Sequence, residues 1–183
     1  YERTRRHAPA FRPAGVTTAA MPLAFVALGA NLGDPAVQLR AAVAQLELLA
    51  PVVSRSHFYE SAALGGPPGQ PPYVNAVVAL AASGWLGREA LLLDELLAIE
   101  ERLGRVRKER WGARRIDLDL LDVAGQVRLI GTPRLPHPRI EERAFVLAPL
   151  LDVAPEWRNP LSGRRAADAL AKVTNSARRS RVD

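Results

Sequence analysis

Gly104-Arg-Val-Arg-Lys-Glu-Arg-Trp-Gly-Ala-Arg-Arg-Ile-Asp-Leu-Asp-Leu-Leu121 joins two patterns of opposite chemistry. Its second half alternates with period two: Ile116, Leu118 and Leu120 fall on one face of a strand, and Asp117 and Asp119 on the other. Two carboxylates at i and i+2 repel unless a cation lies between them. Paired hard oxygen ligands suit Mg²⁺, which completes its octahedron with water and substrate phosphates. The first half concentrates Arg105, Arg107, Lys108, Arg110, Arg114 and Arg115. Guanidinium forks match phosphate oxygens. Asp-x-Asp by itself reads as a solvated edge strand; with this basic run and Trp111 just upstream, the stretch reads as a metal–polyphosphate site.

The rest of the composition leaves room for such a site. A chain of 183 residues fits one domain with a proper core. Its 48% hydrophobic and 24% charged residues are ordinary for a globular protein. No apolar run is long enough to span a membrane, and no basic start with an apolar core marks a signal peptide. The absence of cysteine excludes disulfides, thiolate metal sites and thiol catalysis within the chain, and fits a cytoplasmic protein. A net charge of +6 points to an anionic partner.

Residues 1–20 have no hydrophobic period and carry several Arg and Pro, so a disordered extension is expected, with the fold starting at Met21. Leu23 to Leu28 is an apolar run that reads as a buried strand. Gly29-Ala-Asn-Leu-Gly33 reads as a turn, since it lacks the residues of a phosphate loop. Asp34-Pro35 is a helix start, and Leu39, Val43, Leu46 and Leu49 keep helical spacing until Pro51. A second strand is expected over Val52 to Glu60. The loop 62–72 holds three Gly and four Pro, a composition suited to a binding loop. Tyr73 to Ala82 is a third strand, with Asn75 on a face that must find hydrogen-bond partners.

Leu86 to Leu103 has the leucine spacing of a helix closing at Gly104. Glu100 and Glu101 sit at its C-terminal end, where the helix dipole disfavours acids, so at least one has a specific use. Beyond the Asp-x-Asp strand, the sequence predicts a hairpin through Val127 to Ile130, a turn at Leu135-Pro-His-Pro-Arg139, a helix over Glu142 to Leu151 broken near Pro149, and a last helix over Ala166 to Val173. Strand, helix, strand, strand, helix, strand is the order of an α+β ferredoxin-like βαββαβ two-layer sandwich, here with an extra C-terminal hairpin and helices. One domain over 21–175 and a basic tail over 176–183 complete the expected organisation.

Arg110 to Leu121 resembles the signature of the 6-hydroxymethyl-7,8-dihydropterin pyrophosphokinase family. Further pieces resemble it in the right order: Ala27-Leu-Gly-Ala-Asn-Leu-Gly33, Phe58-Tyr59 with Leu64-Gly65, Tyr73-Val-Asn75, Pro136-His137 and Arg143-Ala-Phe145. The resemblance implies transfer of pyrophosphate from ATP to the hydroxymethyl group of the dihydropterin, with release of AMP. It implies two Mg²⁺ ions on Asp117 and Asp119, with Arg105 and Arg114 joining them in catalysis. It assigns ATP to Glu100, Arg105, Arg107, Arg110, Trp111, Arg114, Leu120, Arg134, His137 and Arg143. It assigns the pterin to Ser61, Ala62, Leu64, Tyr73, Asn75, Trp111 and Phe145. The small-molecule substrates, a monomeric state and no nucleic-acid or membrane partner follow from the same resemblance. The chain departs from the family pattern in a shorter loop between Lys108 and Arg110, two missing residues before Pro136, Leu97 in place of a common glutamine and Ala113 in place of a common proline.

Two other readings compete. A basic ferredoxin-like domain also suits RNA binding, which stacks bases on aromatics of an open sheet face; aromatics here are only 5%. Another Mg-dependent nucleotidyl or glycosyl transferase would use the same Asp-x-Asp.

Overall fold

The computed structural model describes residues 21–105 and 112–173, and the backbone of 178–179. The extension expected over 1–20 lies outside the described residues, as does most of the tail expected over 176–183. Among the described residues no helix is long and apolar enough to cross a membrane.

Strand β1 (Leu23–Ala30) lies in an antiparallel sheet between the edge strand β5 (Asp117–Val123) and β4 (Tyr73–Ala81). Beyond β4 come β2 (Val52–Arg55) and β3 (Tyr59–Ser61), and β6 (Arg178–Arg179) pairs with β3. The single strand expected over Val52 to Glu60 is therefore broken in two. Ser56 is the cause: its N–H donates to the Val77 carbonyl at 2.9 Å, while its hydroxyl oxygen accepts the Val77 N–H at 2.9 Å and donates to the His57 carbonyl at 2.7 Å. A side chain thus replaces one rung of the ladder, and the strand restarts at Tyr59.

Helix α1 (Pro35–Leu49) starts as its sequence dictates, with the Asp34 carboxylate accepting the Val37 N–H at 3.1 Å. Helix α2 (Glu89–Arg102) begins three residues later than its leucine pattern suggests. Gly87 has φ +75° there, and its N–H donates to the Glu89 side chain at 2.6 Å. Both helices pack on one face of the sheet, where Leu39, Leu46, Leu92, Leu96 and Ile99 meet Val26, Leu28, Val78, Leu80, Leu118 and Leu120. Full burial of each such side chain contributes roughly 1.5–3 kcal/mol.

The second face is covered as well, so the expected two-layer sandwich becomes three layers. Phe25, Ala27, Val77, Ala79 and Leu121 lie under Val146, Leu147 and Leu150 of α3 (Ala144–Val153), with Ala166 and Ala169 of α4 (Ala166–Lys172) and Trp157 beside them. The reason is in β1 and β4 themselves, which are apolar at every other position and also in between; strands of that kind need cover on both sides. Pro149 sits inside α3 without breaking it. The burial of its neighbours outweighs the backbone bond that proline removes. The hairpin expected at Val127 to Ile130 reduces to one bridge, Arg128 with Leu135. Pro133 and Pro136 withhold the N–H groups a return strand would need.

Candidate active site

The cleft lies on the second sheet face, at the N-terminal end of α3. Its walls come from β1 (Ala27 to Gly29), the start of the Gly/Pro loop (Ser61 to Gly65), β4 (Tyr73 and Asn75), β5 (Asp117 and Asp119), and Arg114, Arg139, Arg143, Phe145 and Val146. The period-two reading of the Asp-x-Asp strand holds: Leu118 and Leu120 are buried on the helical side, and both carboxylates face the cleft.

The two carboxylates do not face each other unpaired. Asp117 is bound by Arg105 at 2.6 Å and by Arg114 at 2.7 Å, and Asp119 by Arg143 at 2.7 Å. Arg114 is held further by its Nε–H to the Gly112 carbonyl at 3.3 Å. Although its burial alone would lower its pKa, the Asp117 charge and its hydrogen bonds push it up overall. Arg105 is gripped from behind by Glu100. Glu100 is only 1% exposed and also accepts the Leu118 N–H at 2.6 Å. Burial raises its pKa, against the lowering effect of these bonds. The acid that fits poorly at the end of a helix thus ties α2 to the edge of β5 and orients Arg105. In this structure its side chain meets Arg105 and the Leu118 N–H.

Beside this charged group, Tyr73 and Phe145 line the cleft, Arg143 lying over the Phe145 ring at 5.8 Å, and the Tyr73 hydroxyl donates to the Gly112 carbonyl at 3.2 Å. Burial raises the Tyr73 pKa, so the phenol stays protonated at neutral pH. Asn75 is 5% exposed, and its Nδ2 donates to the Tyr59 carbonyl at 3.2 Å and to Ser61 Oγ at 3.0 Å. These bonds fix the amide with its Oδ1 beside Gly29, where a Cβ would approach to 3.4 Å. Asn75 therefore offers an acceptor to a flat heterocycle lying on the aromatic rings.

His137 is partly buried near Asp119, and burial lowers its pKa, only partly offset by that carboxylate. Its Nδ1 accepts the Arg139 N–H at 3.2 Å, which puts the proton of the neutral ring on Nε2. Leu120 is a core side chain, so any nucleotide contact there is left to its main chain. Arg134 is exposed and is not among the residues that wall the cleft. Arg107, Arg110 and Trp111 lie outside the described residues. Arg139 lines the cleft and was not anticipated; it reads in sequence as the end of a proline turn.

Among the described residues no group of three or more His, Asp or Glu gathers to hold a metal. A pair of half-exposed carboxylates on one strand face nevertheless fits an ion that takes its remaining ligands from phosphate and water. The arginines beside them fit the phosphates themselves.

Known proteins resemble the chain in sequence and in fold. Residues 25–155 match the family model of 7,8-dihydro-6-hydroxymethylpterin-pyrophosphokinase. A 2-amino-4-hydroxy-6-hydroxymethyldihydropteridine pyrophosphokinase of Synechocystis sp. is 40% identical over 156 residues, 84% of this chain and 77% of that one. The protein of the same name from Pseudomonas aeruginosa is 45% identical over 151 residues, 80% of this chain and 89% of that one. In fold, the wild-type HPPK-DHPS of Plasmodium falciparum matches 82% of the chain with a TM-score of 0.60 at 12% identity; the chain spans 44% of that protein. The family match covers most of β1, all of β2 to β5, helices α1 to α3 and every described wall of the cleft, and the chain belongs to the 7,8-dihydro-6-hydroxymethylpterin-pyrophosphokinase family.

Proposed function

We propose that the chain transfers pyrophosphate from ATP to the hydroxymethyl group of 6-hydroxymethyl-7,8-dihydropterin and releases AMP, a step of folate biosynthesis. The observation that carries the reading is one cleft in which two chemistries adjoin: an amide and two aromatic rings line the same walls as a carboxylate pair among arginines, with Arg143 over the Phe145 ring at 5.8 Å. Tyr73 and Phe145 flank the pterin ring, Asn75 Oδ1 accepts from its amide edge, and the backbone of Ser61, Ala62 and Leu64 closes the pocket. The substrate hydroxyl oxygen attacks the β-phosphorus of ATP, the bond from that phosphorus to the bridging oxygen of AMP breaks, and the hydroxyl proton passes to solvent.

Charge develops on the phosphoryl oxygens and on the departing AMP, and catalysis is mostly positioning with electrostatic offset. Arg105, Arg114 and Arg143 supply that offset on turning from the carboxylates to the phosphates, and the neutral His137 donates through Nε2. Arg107, Arg110 and Trp111 join them by resemblance. Asp117 and Asp119 would hold two Mg²⁺ ions, which neutralise phosphate charge when bound. We read the sheet as the ferredoxin-like βαββαβ order, with β2 and β3 as two pieces of one strand, and the protein as a monomer of the cytoplasm. An RNA-binding reading loses its ground, since helices cover both sheet faces where bases would stack.

Incubation with ATP, MgCl₂ and the dihydropterin tests the proposal, with the nucleotide product scored by chromatography. AMP in step with pterin pyrophosphate is expected. ADP as the product, or no pterin-dependent turnover, would overturn it.

A further inference from the structure

Asn31 follows the last residue of β1 and is 3% exposed. It does not line the cleft, yet it bonds to the chain on both sides of it. Its main-chain N–H donates to the Arg114 carbonyl at 3.1 Å, and its Oδ1 accepts the Arg114 N–H at 2.8 Å. One residue thus holds both backbone groups of Arg114, whose guanidinium meets Asp117. From the same amide, Nδ2 donates to the Pro71 carbonyl at 3.1 Å. Pro71 belongs to the Gly/Pro loop, two residues before Tyr73, and the other end of that loop runs over Ser61 to Gly65 on the aromatic side of the cleft.

A loop rich in Gly and Pro has few backbone bonds of its own to fix it. The stretch from Gly112 to Arg115 is likewise without regular structure. Both therefore lean on side-chain partners: the Gln70 amide donates to the Gly65 and Pro67 carbonyls within the loop at 3.2 and 3.3 Å, and Asn31 holds the loop's end to Arg114. A buried amide cannot give up either arm without leaving a polar atom unsatisfied. The arms are not equivalent: the acceptor serves the arginine side and the donor serves the loop side. A shift at either is felt at the other through a single rigid group.

We infer that Asn31 is a positioning residue that couples Arg114, at the carboxylate–arginine group, to the 62–72 loop, so that nucleotide bound at Arg114 raises affinity in the pocket beside that loop. The inference rests on the pyrophosphokinase reading. Coupling between two sites on one protein commonly amounts to about 5–150-fold in affinity and is reciprocal.

The test compares wild type with Asn31→Asp, Asn31→Ala and, as a control, Asn159→Ala. Asn31→Asp keeps the acceptor for Arg114 and removes the donor for Pro71. Asn159 is similarly buried and bonds Glu141, Leu161 and Ser162, none of which walls the cleft. Each protein is titrated calorimetrically with the dihydropterin, with and without a non-hydrolysable ATP analogue and Mg²⁺, and its kcat and KM for each substrate are measured. In wild type the analogue should tighten pterin binding by about tenfold or more. Asn31→Asp should lose most of that gain, and its KM for pterin should rise, while analogue affinity alone stays within about threefold. Asn31→Ala should lose the gain and also lower kcat, and Asn159→Ala should keep the wild-type ratio despite a lowered melting temperature. A wild-type ratio near one, an unchanged ratio in Asn31→Asp, or an equal loss in Asn159→Ala would each overturn the inference. If Asn31→Ala fails to fold, Asn31→Asp carries the test. Failure of the pyrophosphokinase reading shows separately, as wild type that releases no AMP.

Discussion

Removing one carboxylate of the Asp-x-Asp pair tests how the protein tolerates the pair without ligand. If the two charges simply repelled, Asp117→Ala and Asp119→Ala would both stabilise the fold. The arginines change that expectation, and they do so unequally. Asp117 accepts from two guanidiniums at 2.6 and 2.7 Å with its side chain 26% exposed; Asp119 accepts from one at 2.7 Å with 34% exposed. A hydrogen bond to a charged group contributes about 1.5–3 kcal/mol when shielded, and solvent takes back much of this at partly exposed sites. Arg105 would also keep Glu100 as a partner. Asp117→Ala should then cost about 2 kcal/mol, because Arg105 and Arg114 lose the charge between them, and Asp119→Ala about 1 kcal/mol or less. For a chain of this size that is a fall in melting temperature of about 4–8 °C and at most about 4 °C respectively. Pterin-dependent AMP release should drop by about 100-fold or more in both, the scale set by losing one electrostatic contact to a transition state. Thermal melts followed by circular dichroism, with a chromatographic AMP assay on the same preparations, give the answer. A rise in melting temperature for either variant, or a larger fall for Asp119→Ala than for Asp117→Ala, would refute the argument from arginine pairing. Turnover close to wild type would refute the site.

Three further outcomes are expected. Mg²⁺ alone should bind weakly, since its carboxylates are held by Arg105, Arg114 and Arg143, and binding should strengthen once an ATP analogue draws those arginines to its phosphates; calorimetry with equal Mg²⁺ affinity in both states would contradict this. Burial alone would raise the Asp152 pKa, but bonds from the His57 ring and N–H and from the Tyr59 hydroxyl lower it overall. A depressed folded pKa gives stability that is present above the ordinary Asp value of about 3.9 and lost as pH falls through the folded one. The urea midpoint difference between wild type and Asp152→Asn should therefore shrink below about pH 4, and a constant difference down to pH 3 would count against the network. Trp157→Phe removes the 2.8 Å bond to the buried Asp122 carboxylate and should cost about 1–3 kcal/mol in urea unfolding at pH 7; a loss under about 0.5 kcal/mol would show that bond to be dispensable.

The sequence was most legible where local period and chemistry agree. The alternation from Ile116 to Leu120 placed both carboxylates on one face because strand geometry leaves no alternative. Asp34-Pro35 marked a helix start for equally local reasons. Features that depend on distant partners were hidden. The break after Arg55 follows from a Ser56 bond to Val77, and nothing near Ser56 announces it. Asn31 reads as a turn residue until its contacts with Arg114 and Pro71 are seen. The helix-end position of Glu100 signalled a special use, but whether it met ligand or protein depended on burial behind β5. The third layer was within reach. The apolar run in β1 already implied two covered faces, and the ferredoxin-like order drew attention to only one of them.

Ala27 and Val146 belong both to the core under α3 and to the wall of the cleft. The pocket is thus an unfilled margin of the hydrophobic interior, and its occupant acts as a detachable piece of the core. Bound heterocycle would extend the packing that α3 leaves unfinished, so occupancy and resistance to unfolding should rise together. The same continuity puts stability and activity in opposition at these two positions. A larger aliphatic side chain at Ala27 could pack into the space, steady the empty protein and shut out its substrate in one change. A small residue at that point keeps the interior open to a molecule from outside.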